Sequence, residues 1–295
     1  MDIGRGRGRR AVRKAAVRIL FTGKGTSGSW QIRGVQMARA LGALATPMAT
    51  LEQCAEADVI VAVKRIPDQL LATIRRSGKP WAWDCVDAYP QPACSGWGRE
   101  QSLSWLRAEV KRLKPDLVIW PNARMQEDAG HGEVIYHHHR PGIEINPIRD
   151  RIEVIGYEGS EKFIQSWRPA IEAECRRIGA RFVINPPRLA DVDVVLALRG
   201  EGWNGYPQAK WKSNVKLANA HGSGTPFVGA PEDGYTETAC GAEYWATNVE
   251  QLRMSLDWLA PRETRAEVQS RFLRAALPIE KAAKRYEEVL CALRS

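Results

Sequence analysis

Nowhere in its 295 residues does the chain hold an apolar run of about 18, so it offers no segment of the length and character of a membrane-spanning helix. Cysteine is sparse: Cys54, Cys85, Cys94, Cys175, Cys240 and Cys291 lack the C-x-x-C or paired spacing of a zinc site and read as free thiols of a reducing cytoplasm. Histidine is scarcer still, and four of the five lie between His131 and His139. Consecutive residues of a strand alternate between its faces, so His137, His138 and His139 do not readily converge on one ion, and no metal is expected. The amino terminus has no apolar core of a secretory signal, and there is no low-complexity repeat.

What is present is the balance of an ordinary globular protein, 44% apolar and 26% charged. The formal net charge of +9 invites a nucleic-acid partner. Its distribution tempers that reading, because residues 1–18 carry seven basic side chains against Asp2 and leave only +3 for the other 277 residues. The excess sits in a Gly/Arg tail suited to touching nucleic acid or anionic lipid.

Along the chain, short β-branched runs alternate with glycine loops and amphipathic helices, the rhythm of parallel sheets in an α/β fold. "AVRILFTG", "ADVIVAVK", "KPWAWDCVD" and "DLVIWP" predict strands of a first series. Between them, helices are predicted from about Trp30 to Leu41 with Ser29 as cap, near 68–77, and near 100–113. The proline-containing stretch 140–150 separates this series from a second one. There "RIEVIGYEG", "ARFVIN", "DVDVVLALRG" and "TPFVGAP" predict strands, Pro169 breaks the helical stretch 160–179, and Pro261 and Pro278 divide a helical end. The boundaries expected are a basic tail at 1–17, Rossmann-like domains at 18–146 and 147–276, and a final helix at 277–295.

Gly23, Gly25 and Gly28 spell G-x-G-x-x-G after the first strand. A dinucleotide site also needs an acid about 20 residues on, at the end of the second strand, to hold the ribose. The first acid here is Glu52, so an NAD-dependent reductase is the weaker reading. Two others stand: a turn that needs glycine freedom, or a loop whose amides, at Gly25 and Ser27, face a polar ligand.

The stretch 211–237, "WKSNVKLANAHGSGTPFVGAPEDGYTE", resembles the donor-binding segment of GT-B glycosyltransferases through Lys216, Leu217, Ala220, Gly224, Thr225, Pro226, Val228 and Glu237. The first glycine loop, "RIEVIGYEGS" and the terminal helices are similar to the corresponding parts of that family. The resemblance implies two Rossmann-like domains facing a cleft, final helices crossing back to the first domain, and metal-independent transfer from a nucleotide-sugar without a bound cofactor. It implies donor contacts from Lys216, Asn219 and Glu237; apart from the family, a strand-loop-helix unit offers amides and a positive dipole end to a diphosphate, with Lys212 adding charge and Ser213 and Asn214 able to donate from the helix start. Trp211 and Asn219 stand where many retaining members carry two glutamates, a departure that leaves an inactive nucleotide-binding module open.

Arg199 ends a predicted strand, where α/β ligand sites lie, and points to the diphosphate. An acceptor hydroxyl needs a base, for which Asp84 and Asp87, at a strand's carboxyl end, and His138 are the candidates. Trp203 and Trp211 flank a polar loop and Trp30 opens the first glycine-loop helix, so these three are candidates for stacking on a base, sugar or acceptor. Two acceptor classes fit: DNA carrying hydroxymethylated bases, and envelope polysaccharide or lipid-linked sugar.

Overall fold

A computed structural model describes residues 17–87, 96–200, 202–203 and 205–293. The basic tail through residue 16 and Cys94 lie outside the described residues. The first series folds as β1 (Ile19–Gly23), a π-helix over Trp30–Gln36 running into α1 (Met37–Ala40), β2 (Leu44–Ala45), α2 (Leu51–Glu56), β3 (Val59–Val63), α3 (Asp68–Ser77), β4 (Trp81–Asp84), α4 (Arg99–Leu113), β5 (Leu117–Trp120), α5 (Ala123–Ala129) and β6 (Glu133–Val134). Its strands form one parallel sheet in the order β2-β1-β3-β4-β5-β6.

The second series comprises β7 (Val154–Tyr157), α6 (Arg168–Ile178), β8 (Arg181–Ile184), β9 (Val194–Ala197), α7 (Tyr206–Lys210), α8 (Val215–Ser223), β10 (Phe227–Gly229), α9 (Asp233–Thr236), β11 (Tyr244–Trp245) and α10 (Val249–Leu259), followed by α11 (Arg262–Ala275) and α12 (Ile279–Ala292). It makes a second parallel sheet, β11-β10-β9-β7-β8. The runs VIVAV of β3 and VVLA of β9 are buried at every position, as expected of parallel strands covered on both faces. Each sheet has its own apolar core.

Pro169 falls in the first turn of α6, where its missing N–H costs nothing, so helix begins there rather than breaking. Ser29 has helical backbone angles and caps nothing; Ser27 Oγ instead accepts from the Trp30 amide at 3.3 Å. The last helix, α12, buries Ile279, Ala282, Ala283, Tyr286, Val289 and Leu290, one face at three- and four-residue spacing, against the core of the first sheet. Among the described residues no helix is long and apolar enough to cross a membrane.

Candidate active site

In parallel sheets ligands gather beyond the carboxyl ends of the strands. Here those ends bring β3, β4 and β9 toward one gap between the two sheets. Lys64 follows β3, Asp87 follows β4 and Arg199 follows β9, Lys212 and Ser213 lie just before α8, and Val215 and Lys216 open it. They enclose a cavity of about 230 Å³ with Gly159, Phe163 and Tyr235.

Asp87 bridges the two domains, with Lys64 Nζ at 2.5 Å from one oxygen and Lys212 Nζ at 3.3 Å from the other. Burial pushes its carboxyl up, but the field of Lys212 and Lys64 outweighs this and holds it well below the usual carboxylate range. Lys64 and Val86 adopt left-handed backbone, φ 59° and 67°, costly above all for the β-branched Val86 and a recurrent feature of functional sites.

Arg199 is fixed by a two-pronged pair to Glu232, at 2.5 and 3.0 Å, and its carbonyl accepts from the Trp167 indole at 2.7 Å. Lys216 sits 4.1 Å from the centroid of the Tyr157 ring, and no described ion pair includes it. Burial, reinforced by Arg199, pulls its ammonium down to about 7. Burial also pulls Lys212 down, to about 8, against the opposing pull of Asp87. With Lys212 and Lys216 protonated, four cations against Asp87 and the Arg199-bound Glu232 leave the cavity wall at about +2, a field that attracts anions.

A second, larger cavity of about 510 Å³ adjoins it through Arg199 and is lined by Trp167, Gly200, Trp203, Ala230, Pro231 and Ala246 among others. Trp203 is held edge-on to Phe163, ring centroids 4.5 Å apart.

Of the residues proposed from sequence, Asp87, Arg199, Lys212, Ser213 and Lys216 line the first cavity and Trp203 the second. Several others are used differently. Asp84 does not face the gap: it is fully buried, and its carboxylate receives Arg33 Nε at 3.0 Å and the Tyr286 hydroxyl of α12. His138 is buried with Nε2 3.0 Å from Gln36 Oε1, and burial, then Arg33, push it down to about 3, so it stays neutral. Trp30 is packed in the first core. Trp211 is completely buried in the other apolar cluster of the first domain, with Trp83 and Trp120, and donates its indole N–H to Asp128 at 2.8 Å, so it stacks on no ligand.

Glu237 accepts from the amides of Ala123 and Arg124 at 2.7 and 2.9 Å and from the Tyr136 hydroxyl at 3.1 Å. Asn214 accepts from the His137 amide at 2.9 Å, and Asn219 accepts from the Arg140 amide and donates to Glu158. Gly25, at φ 91°, lies where a Cβ would come 2.4 Å from that of Pro47; with Ser27 it shapes the loop but reaches neither cavity. His221, Cys240 and Glu243 approach one another closely enough for a metal. Glu243 there is already saturated by the amides of Cys240, Gly241 and Ala242 and by His221, so the cluster is complete without one.

Lys64 was not singled out from sequence, although it carries the same signal as Arg199, a cation ending an apolar strand. Tyr157, Tyr235 and Glu232 carry no comparable signal.

No protein-family model and no curated protein matches the chain. Solved structures do. HepE of Anabaena, in complex with UDP and glucose, superposes with a TM-score of 0.63 at 13% identity over 94% of this chain and 100% of its own. AviGT4, a glycosyltransferase involved in avilamycin A biosynthesis, gives 0.59 at 13% identity over 94% and 98%. An α-glucosyltransferase in complex with UDP-glucose and DNA containing an abasic site gives 0.56 at 9% over 93% and 99%. With two parallel-sheet domains facing a cleft and a last helix crossing back onto the first, the chain has the GT-B fold.

Proposed function

We propose that this protein is a glycosyltransferase that moves a sugar from a nucleoside diphosphosugar to an acceptor hydroxyl. The observation that carries this reading is the convergence of Lys64, Arg199, Lys212 and Lys216 on one cavity between the domains of a GT-B fold. A diphosphosugar brings two negative charges, which match the wall's +2 once Lys212 and Lys216 are protonated. The adjoining cavity of about 510 Å³ is of the size that takes a nucleoside, with Trp203 and Ala230 on its wall. No metal is required in this reading, because the cations of the chain itself supply the positive field.

In the reaction the bond from the sugar's anomeric carbon to the phosphate oxygen breaks and one to the acceptor oxygen forms. The nucleoside diphosphate departs with one more negative charge than it carried as a diester. Lys216 and Arg199, fixed before the reaction, stabilise that charge. The acceptor proton goes to Asp87. Held by two lysines, Asp87 is a weak base; a diphosphate that draws Lys212 away raises its basicity at the moment it is needed.

For the acceptor we propose DNA carrying hydroxymethylated bases. Support comes from the likeness to the DNA-bound α-glucosyltransferase and from the basic amino-terminal sequence. A less polar, lipid-linked acceptor is the second reading, favoured by Met48 and Leu51, exposed side chains on the segment that packs against the glycine loop. The test is release of nucleoside diphosphate from a UDP-sugar panel with either acceptor. Turnover dependent on hydroxymethylated duplex supports the first; turnover only with lipid-linked sugar replaces it with the second.

A further inference from the structure

We propose that the amino-terminal turn of α5 is a positioning clamp that fixes Lys212 from the opposite domain, so that the two domains receive a nucleotide as one preassembled body. The ligand named here rests on the function proposed above; the clamp itself does not.

Asn122 is fully buried and every polar atom of its amide group is engaged. Its Oδ1 accepts from the Met125 amide at 2.8 Å and caps α5, while Nδ2 donates to the carbonyls of Lys210 at 2.8 Å and Lys212 at 3.0 Å. Gly234 of α9 packs against the same carbonyl, where a Cβ would come 2.1 Å from the Lys212 oxygen. The Lys212 carbonyl is therefore held jointly by α9 of its own domain and Asn122 of the other.

The grip continues outward. Glu237 occupies the first two amides of α5, and Asp233 pairs with Arg124 of the first domain at 3.2 Å and with Lys210 of the second at 2.8 Å. Trp211, next to Lys212, is an element of the second domain's chain buried in the first domain's core, and the Tyr206 amide donates to the Trp97 carbonyl at 2.8 Å. Opening the gap would strip all of these at once. Neither Asn122 nor Glu237 lines either of the two cavities; Asn122 acts through Lys212, and Glu237 through the amides of α5.

The experiment is calorimetric titration of UDP into the full chain and into Asn122→Asp, Lys212→Met and the double variant, with amide exchange on the ligand-free proteins. Asn122→Asp keeps the cap on Met125 but loses both donations and sets a carboxylate against two carbonyls. It is expected to weaken UDP by about tenfold, and to change binding by less than about twofold when Lys212 is already Met. Wild-type affinity in Asn122→Asp, or an undiminished loss in the double variant, would overturn the proposal. In the ligand-free wild type the amides of Ala123, Arg124 and Tyr206 are expected to exchange as slowly as those of β9; faster local exchange there also overturns it. If UDP does not bind the wild type at all, the proposed function fails while the exchange result still decides the clamp. Should Asn122→Asp not fold, Glu237→Gln serves, with exchange at Ala123 and Arg124 rising by about tenfold or more and unchanged exchange contradicting the clamp.

Discussion

Lys216 shows how burial tunes the charge of a single side chain. With its ammonium over the Tyr157 ring and Arg199 nearby, it is only about half charged at neutral pH. A diphosphate that binds the protonated form raises its pKa and takes up a proton, and Lys212 behaves alike about one unit higher. In the function proposed above, donor affinity is therefore highest well below pH 7 and falls as pH climbs through the lysine values. A UDP-sugar, whose pyrophosphate diester does not itself titrate in this range, should bind roughly tenfold or more weakly at pH 9 than at pH 6.5. Calorimetry across pH checks this, and a flat profile would contradict it. At this scale Arg199, Lys212 and Lys216 were legible, because a charge that ends an apolar strand or lies at a helix start falls at the sheet's carboxyl edge; Lys64 carries the same signal and was missed. Asp84, Trp211 and Glu237 were misread for one shared reason: their partners Tyr286, Asp128 and Ala123 are 83 to 202 residues away or in the other domain, and local sequence does not record them.

At the scale of elements, periodicity worked where helices are long and amphipathic, as in α3, predicted at 68–77 and found at Asp68–Ser77. It failed for α5 and α2, of seven and six residues, which are set by the caps Asn122 and Thr50 rather than by an apolar stripe. The helix after the glycine loop was legible, but its π stretch over Trp30–Gln36 was not. That widened turn sends Arg33 to Asp84 and to the Ile135 and Tyr136 carbonyls, and Gln36 to His138. Through Asp84 and Tyr286 the same cluster ties down α12. Tyr286→Phe should therefore cost about 2 kcal/mol of stability, the worth of a hydrogen bond to a buried charge, and leave UDP affinity unchanged. Denaturant unfolding and calorimetry measure the two; a loss of affinity without a loss of stability would contradict this division of roles.

For the whole molecule, the alternation of strands and helices sufficed to anticipate two parallel-sheet domains, and Pro278 marked where α12 turns back. What alternation does not encode is how the domains meet. They meet through a tryptophan of one in the core of the other: burying Trp211 removes on the order of 200 Å² from water and is worth at most about 5 kcal/mol, enough to hold the gap in one geometry. The account stands on that gap being an anion site for an activated sugar. Titration of UDP and of NADH into the wild type and into Lys216→Met tests this most directly. The expected result is UDP binding that weakens by about tenfold or more in the variant at unchanged stability, with no binding of NADH. Equal UDP affinity in both proteins, or binding of NADH in place of UDP, would contradict it.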